Sequence, residues 1–197
     1  SSAQSPCLQL DNGSVVAEVT VICSYLDEIT DGPSLIGATP GERAETRMWM
    51  RRFDARILEP MSLAFRSAEA LELFKNRCHV IPQAADDLKA TVQESWAWLE
   101  PQLAGKQYIC GKRFTLADIQ LFIFADFGTM VGQGIPEGLP NLQAWFKRVA
   151  ERPSVVAHDV VGSIEVVQEG LDLAVRLREV LHEDPVVRVG AVALVDQ

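Results

Sequence analysis

Phe114-Thr115-Leu116-Ala117-Asp118-Ile119, followed by Leu121-Phe122-Ile123-Phe124-Ala125, is the stretch that decides the fold. Thr115 stands where a helix N-cap belongs. Asp118, the third helical residue, can reach back to the Thr115 amide, and Phe114 and Ile119 sit where a hydrophobic staple closes. The run behind them is apolar nearly all round, and such a helix is a buried one. Residues 116–131 are therefore expected to form the central helix of the core, packed by Trp49, Phe53, Trp96, Leu99, Trp145 and Phe146. Asp118 is assigned to capping rather than catalysis, and its loss is expected to cost about 1 kcal/mol or more.

Outward from this helix the pattern stays helical. Thr39-Pro40-Gly41-Glu42 supplies an N-cap hydroxyl, Pro at the first helical position and a reciprocal Glu. The helix it opens runs through Trp49, Phe53, Ile57, Met61 and Phe65, and Pro60 should kink or divide it. Beyond Pro82 an amphipathic helix carries Leu88, Val92, Trp96 and Leu99 and stops near Gly105. Residues 106–114 read as a turn-like connector. Residues 139–150 read as a helix with Leu142, Trp145, Phe146 and Val149 facing inward, and Pro153 forces a turn or new start.

The two ends differ. Cys7–Leu10 and Val15–Ala17 flank Asp11-Asn12-Gly13-Ser14, a hairpin with an Asn-Gly turn. A helix follows with Ile22, Tyr25, Leu26 and Ile29 on one face, ended by Gly32-Pro33. Residues 159–182 read as an acidic helix, and Val186–Val195, after Pro185, as a β-branched strand or tail.

Composition bounds the function. Of 197 residues 48% are hydrophobic and 23% charged, an ordinary globular balance. Eighteen Lys and Arg against 27 Asp and Glu leave a net charge of −9, which disfavours general binding to nucleic acid or anionic membrane. No apolar run reaches the ~18 residues that span a bilayer, and no secretory leader is visible. Cys7, Cys23, Cys78 and Cys110 show no Cys-x-x-Cys, and with three histidines there is no zinc spacing, so no metal site is expected. The cysteines read as small hydrophobes in a reducing compartment. Cys78 beside His79 is not read as a catalytic pair, because sequence neighbours rarely meet in that geometry. Arg51 and Arg52 read as a solvated face or as ion-pair partners of Asp54 or Glu59, and Met48 and Phe65 as core. Asp126, inside an apolar helix, reads as a buried carboxylate in need of Arg51 or Arg52.

Several of these stretches together resemble the glutathione S-transferase family. Ser5-Pro6-Cys7-Leu8, the Asn-Gly turn and Ala17-Glu18 before Ile22-Cys23-Ser24-Tyr25-Leu26 resemble the second half of its thioredoxin-like domain. Pro33-x-Leu35-x-Gly37-x-Thr39-Pro40 resembles its linker. Gly111-x-x-Phe114-Thr115-Leu116-Ala117-Asp118-Ile119 and Asn141-Leu142-x-x-Trp145-x-x-x-Val149-x-x-Arg152-Pro153 resemble its helical domain, and Met48-Trp49-x-Arg51-Arg52 a bacterial and fungal branch. The fold implied is mainly α: a partial thioredoxin-like unit (a β-hairpin plus helix) over 1–32, a linker at 33–38 and an all-α domain over 39–157. An acidic helical extension with an apolar tail follows at 158–197.

The resemblance implies that glutathione is a co-substrate, with no cofactor, conjugated to a hydrophobic electrophile. Ser5 and Pro6 would pair with its backbone, Glu18 would take its ammonium, and the Val19 amide would take a carboxylate, although Val19 stands where the family usually has Ser. Met48, Arg51, Arg52 and Phe65, with Asp126 opposite, would line the electrophile pocket. In the family some 50 residues precede the Pro6 position and carry the thiol-activating residue, so no catalytic residue is assigned in this chain. Cys7, on a strand, is expected to pack in the core instead. The alternative is a non-catalytic transferase-like subunit of a larger assembly. A homodimer or such an assembly, in the cytoplasm or an organelle matrix, is expected, with no nucleic-acid partner and no transmembrane segment. A lone hairpin is marginal, so residues 7–17 are expected to be covered by Val186–Val195, by another protein or by an upstream segment.

Overall fold

A computed structural model of the chain describes residues 6–155. The chain divides into two compact units, Leu35–Ala150 and the residues on either side of it. Expectations for Ser5, the acidic helix at 159–182 and Val186–Val195 fall outside the described residues.

In the first unit β1 (Cys7–Gln9) pairs antiparallel with β2 (Val15–Ala17), Leu8 opposite Val16. The turn closes as its sequence dictates. The Asn12 carboxamide oxygen accepts the Ser14 amide at 2.9 Å, and Gly13 takes a φ of 82°. Strand residues alternate in facing, so with Leu8 turned inward Cys7 must turn out. Cys7 is exposed, which corrects its expected place in the core. Helix α1 (Val19–Ile29) packs on the hairpin with Ile22, Tyr25 and Leu26 half-buried. Its last turn carries Ile29 at 59% exposure, against expectation. An eleven-residue helix spans about 16 Å and a three-residue strand about 10 Å, so the helix outruns the sheet.

The second unit is helical. Helix α2 (Pro40–Phe53) opens with the expected box: Glu42 donates its amide to the Thr39 hydroxyl at 3.2 Å, and Thr39 donates its amide to the Glu42 carboxylate at 3.1 Å. Bonding from the Thr39 backbone, joined by Ala38 and by the charge of Arg113, holds the Glu42 carboxyl below its ordinary range. Gly37 precedes it at a φ of 122°, and a Cβ there would meet Glu42 Cβ at 2.5 Å.

The long helix then passes through a π-helical turn, Asp54–Leu58, into α3 (Glu59–Ser67). The division therefore falls just before Pro60, which sits in the first turn of α3 where its missing N–H is harmless. A short α4 (Leu71–Phe74), α5 (Ala85–Leu99), α6 (Leu116–Met130) and α7 (Pro140–Ala150) complete the unit. α3 packs on α5, α2 on α6 and α6 on α7. Trp96, Trp145, Phe53, Ile57, Met61, Leu99, Leu121 and Leu142 lie fully inside.

The α6 helix corrects two expectations. Only one side of it is core: Leu116, Ala117, Leu121, Ala125 and Gly128 are buried, Phe122, Ile123 and Phe124 are half-buried, and Met130 is 63% exposed. Its neighbours cover one stripe, and the apolar remainder is surface that this unit leaves open. Phe146 is likewise half-buried and stacks on Phe122 at 4.8 Å, so the two rings cover each other. Gly128 permits the close approach of α6, since a Cβ there would lie 2.9 Å from the Gln133 carbonyl and 3.0 Å from Met61. Among the described residues no helix is long and apolar enough to cross a membrane.

Candidate functional site

Strain marks one corner of the first unit. Glu18, between β2 and α1, has φ 72° and ψ 116° and is the one non-glycine residue at positive φ among those described. A side chain held there costs on the order of 1–3 kcal/mol and persists where the surroundings require it. The Glu18 carbonyl accepts the amides of Val21 at 3.0 Å and Ile22 at 2.9 Å, as an N-cap should. Its carboxylate does not cap the helix and is exposed. The first N–H groups of α1 are thus without a side-chain cap and form the positive end of a helix dipole, beside a carboxylate turned elsewhere. An acceptor and a donor set of this kind suit a zwitterion, with its ammonium on Glu18 and its carboxylate at Val19. Pro6, half-buried, immediately precedes β1.

Neither Cys23 nor Cys110 offers a nucleophile of lowered pKa. Burial pushes Cys23 up to about 11, and burial also pushes Cys110 up. Cys110 lies 3.8 Å from both the Thr46 and the Thr115 hydroxyls. Cys78 is exposed, with its sulfur 3.8 Å from the Phe74 carbonyl. Among the described residues no group of three or more His, Cys, Asp or Glu is placed to hold a metal.

Asp118 caps α6 but does more than its sequence position announced. Fully buried, it accepts the Thr115 amide at 2.9 Å, the Thr115 hydroxyl at 3.0 Å, the Ile109 amide at 2.8 Å and the Trp145 indole N–H at 2.9 Å. Burial pushes its carboxyl up, and these donors pull it back. One side chain thereby ties the connector, α6 and α7, which is a structural role.

The electrophile-pocket candidates are only partly gathered. α2 turns Thr46, Trp49, Met50 and Phe53 inward, which leaves Met48, Arg51 and Arg52 on the opposite side. Met48 is 41% exposed rather than core. Arg51 pairs with Glu59 at 3.3 Å, as one reading of the sequence had it. Arg52 lies over the Trp49 ring at 5.0 Å. Phe65 is half-buried and meets Phe127 edge-on at 5.1 Å. Asp126 is exposed, on the side of α6 away from Leu121 and Ala125. This corrects its reading as a buried carboxylate. Two features escaped the sequence reading. The strain at Glu18 has no signal in residue type. Arg56 joins Arg52 over a neighbouring tryptophan, which the four-residue spacing of the arginines could have suggested.

Residues 61–153 match the family model "Glutathione S-transferase, C-terminal domain". Glutathione S-transferase 2 of Saccharomyces cerevisiae is 31% identical over 159 residues, which cover 78% of this chain and 66% of that protein. The crystal structure of a glutathione S-transferase domain-containing protein from Marinobacter aquaeolei is 35% identical with a TM-score of 0.69, covering 78% of this chain and 75% of that one. Gtt2 from Saccharomyces cerevisiae gives 29% identity and a TM-score of 0.69, with 78% and 74% covered.

Proposed function

The chain belongs to the glutathione S-transferase family, and from that premise we propose that it serves the conjugation of glutathione to hydrophobic electrophiles. The observation that carries this reading is Glu18, held at φ 72° beside an uncapped helix start. Glu18 takes the glutathione ammonium, and the Val19 amide takes its γ-glutamyl carboxylate. Ser5 and Pro6 present backbone to the cysteinyl unit. The thiolate attacks the electrophilic carbon, a sulfur–carbon bond forms, and the electron pair leaves with the departing group or passes to an acceptor within the electrophile. Met48, Arg51, Phe65 and Asp126 are the side chains assigned to the electrophile, while Arg52 is engaged with Trp49. In the family order the residue that ionises the thiol precedes Pro6. Labour divides as a glutathione unit at 1–32, a linker at 33–38, a helical domain at 39–157 and an extension at 158–197. A homodimer in the cytoplasm is part of this proposal. The alternative of a non-catalytic assembly subunit draws no support from the relatives named above.

Calorimetric titration of glutathione into the chain tests the assignment. Binding should be weak for this chain alone, and Glu18→Ala should abolish what there is. Micromolar binding indifferent to Glu18→Ala would overturn the role of Glu18.

A further inference from the structure

Three cations gather on two tryptophans in the helical unit. Trp49 and Trp98 lie 6.2 Å apart, centre to centre. The Arg52 guanidinium lies 5.0 Å and the Lys106 ammonium 5.3 Å from the centre of the same Trp49 ring. The Arg56 guanidinium lies 4.3 Å from the centre of Trp98. These groups come from separate places in the sequence: α2, the π turn, α5 and the loop after Gly105. Trp49 is 5% exposed, so the platform under the cations is fixed by the core.

Several basic groups elsewhere are matched with acids. Arg51 has Glu59, Lys75 has Glu72, Lys89 has Glu69, and Arg113 has Glu42 and Glu45. No carboxylate among the described residues pairs with Arg52, Arg56 or Lys106. Like charges held on neighbouring rings repel, and an anion between them relieves that repulsion. A guanidinium over an indole can still offer N–H groups to a carboxylate or phosphate. The net charge of −9 opposes a long polyanion, such as nucleic acid or an anionic membrane, at distance. A compact anion inside a screening length of ~8–10 Å meets the local cations first.

We propose that Arg52, Arg56 and Lys106, seated on Trp49 and Trp98, form a binding site for a small organic anion carrying two or three carboxylate or phosphate groups. The site stands apart from the reading of Glu18 and does not depend on it.

Citrate and inorganic pyrophosphate are the probes, titrated calorimetrically into the full chain in low-salt buffer with tryptophan emission followed in parallel. One of them should saturate at one equivalent, weaken as salt rises and alter the emission. Preference for one over the other separates carboxylate from phosphate chemistry. Arg56→Gln with Lys106→Gln should lower affinity at least tenfold. Arg56→Lys, which keeps the charge and loses the planar fork, should lower it severalfold, and Lys75→Gln should leave it unchanged. Circular dichroism verifies that each variant is folded. The proposal is overturned by no saturation at millimolar probe, or by affinity equal in the double variant, which means an adventitious ion only. It is also overturned if the double variant changes the sedimentation coefficient and not the binding, which means that a second copy covers the patch.

Discussion

From Pro6 to Ser34 not one described side chain is buried, whereas Leu35–Ala150 encloses three tryptophans at 5% exposure or less. Both regions follow their local signals closely, so the difference does not lie in secondary structure. It lies in how many directions hold each residue. In the helical unit Asp118 is bonded from the connector, from its own helix and from α7. In the hairpin unit the strands are three residues long and the helix leans on them with half-buried residues. The second unit is specified by packing. The first is specified by backbone geometry at Gly13 and Glu18, and its one strained residue is also its chemical candidate.

Breaking the second unit should take one atom group. Asp118→Ala leaves the Ile109 and Thr115 amides and the Trp145 indole N–H without their acceptor. Three orphaned buried donors cost about 4 kcal/mol in total. Urea unfolding measures this, and a loss under about 1.5 kcal/mol would mean that the core is less over-determined than its bonding suggests. Gly37→Ala comes next. Its Cβ would stand 2.5 Å from Glu42 Cβ and within 3 Å of backbone, and with the positive φ this should cost about 2 kcal/mol. An unchanged melting temperature would show that the chain entering α2 can shift freely.

Smaller effects sharpen the contrast. Thr39→Ala removes one side of the α2 box and should cost about 1 kcal/mol by the same unfolding measurement. Glu18→Gly should do the reverse. Glycine accepts φ 72° without strain, so stability should rise by up to about 0.5 kcal/mol after the added freedom of the unfolded chain is counted. Glutathione binding should fall in the same variant. Opposite signs in calorimetry and in thermal melting are the expected pair. A fall in both would make Glu18 a structural residue.

Much of this was legible in the chain itself. The boxes at Thr39–Glu42 and Thr115–Asp118 and the Asn-Gly turn each span a few residues and need no distant partner, whereas the helix expected to stop near Gly105 ends at Leu99. What escaped depends on distance or on parity. Ile109 and Trp145 reach Asp118 only once the fold is made. Cys7 and Leu8 are both plausible inward residues, and alternation allows only one of them. The outer side of α6 is as apolar as the inner, so composition could not tell which one the unit covers, and Asp126 was misplaced with it. Glu18 is the sharpest case, because a glutamate announces nothing about its own φ.

The π turn at Asp54–Leu58 acts as a phase adjuster in the longest run of helix. It admits one surplus residue, so the side of the rod that meets the core before it and the side that meets the core after it belong to different registers. Removing one residue there would let the rod close up as plain α-helix with the faces beyond it nearly where they are, because the wide turn already absorbs the surplus residue. Were the same residues wound as plain α-helix instead, everything beyond would be turned by about 100°, Met61 and Ala64, now fully enclosed, would swing out of place, and Phe65 would leave its contact with Phe127. Single-residue length changes are usually tolerated in loops. In this protein the middle of a helix is also a place where the chain carries one residue more than a plain helix would, with the faces on either side kept against the core.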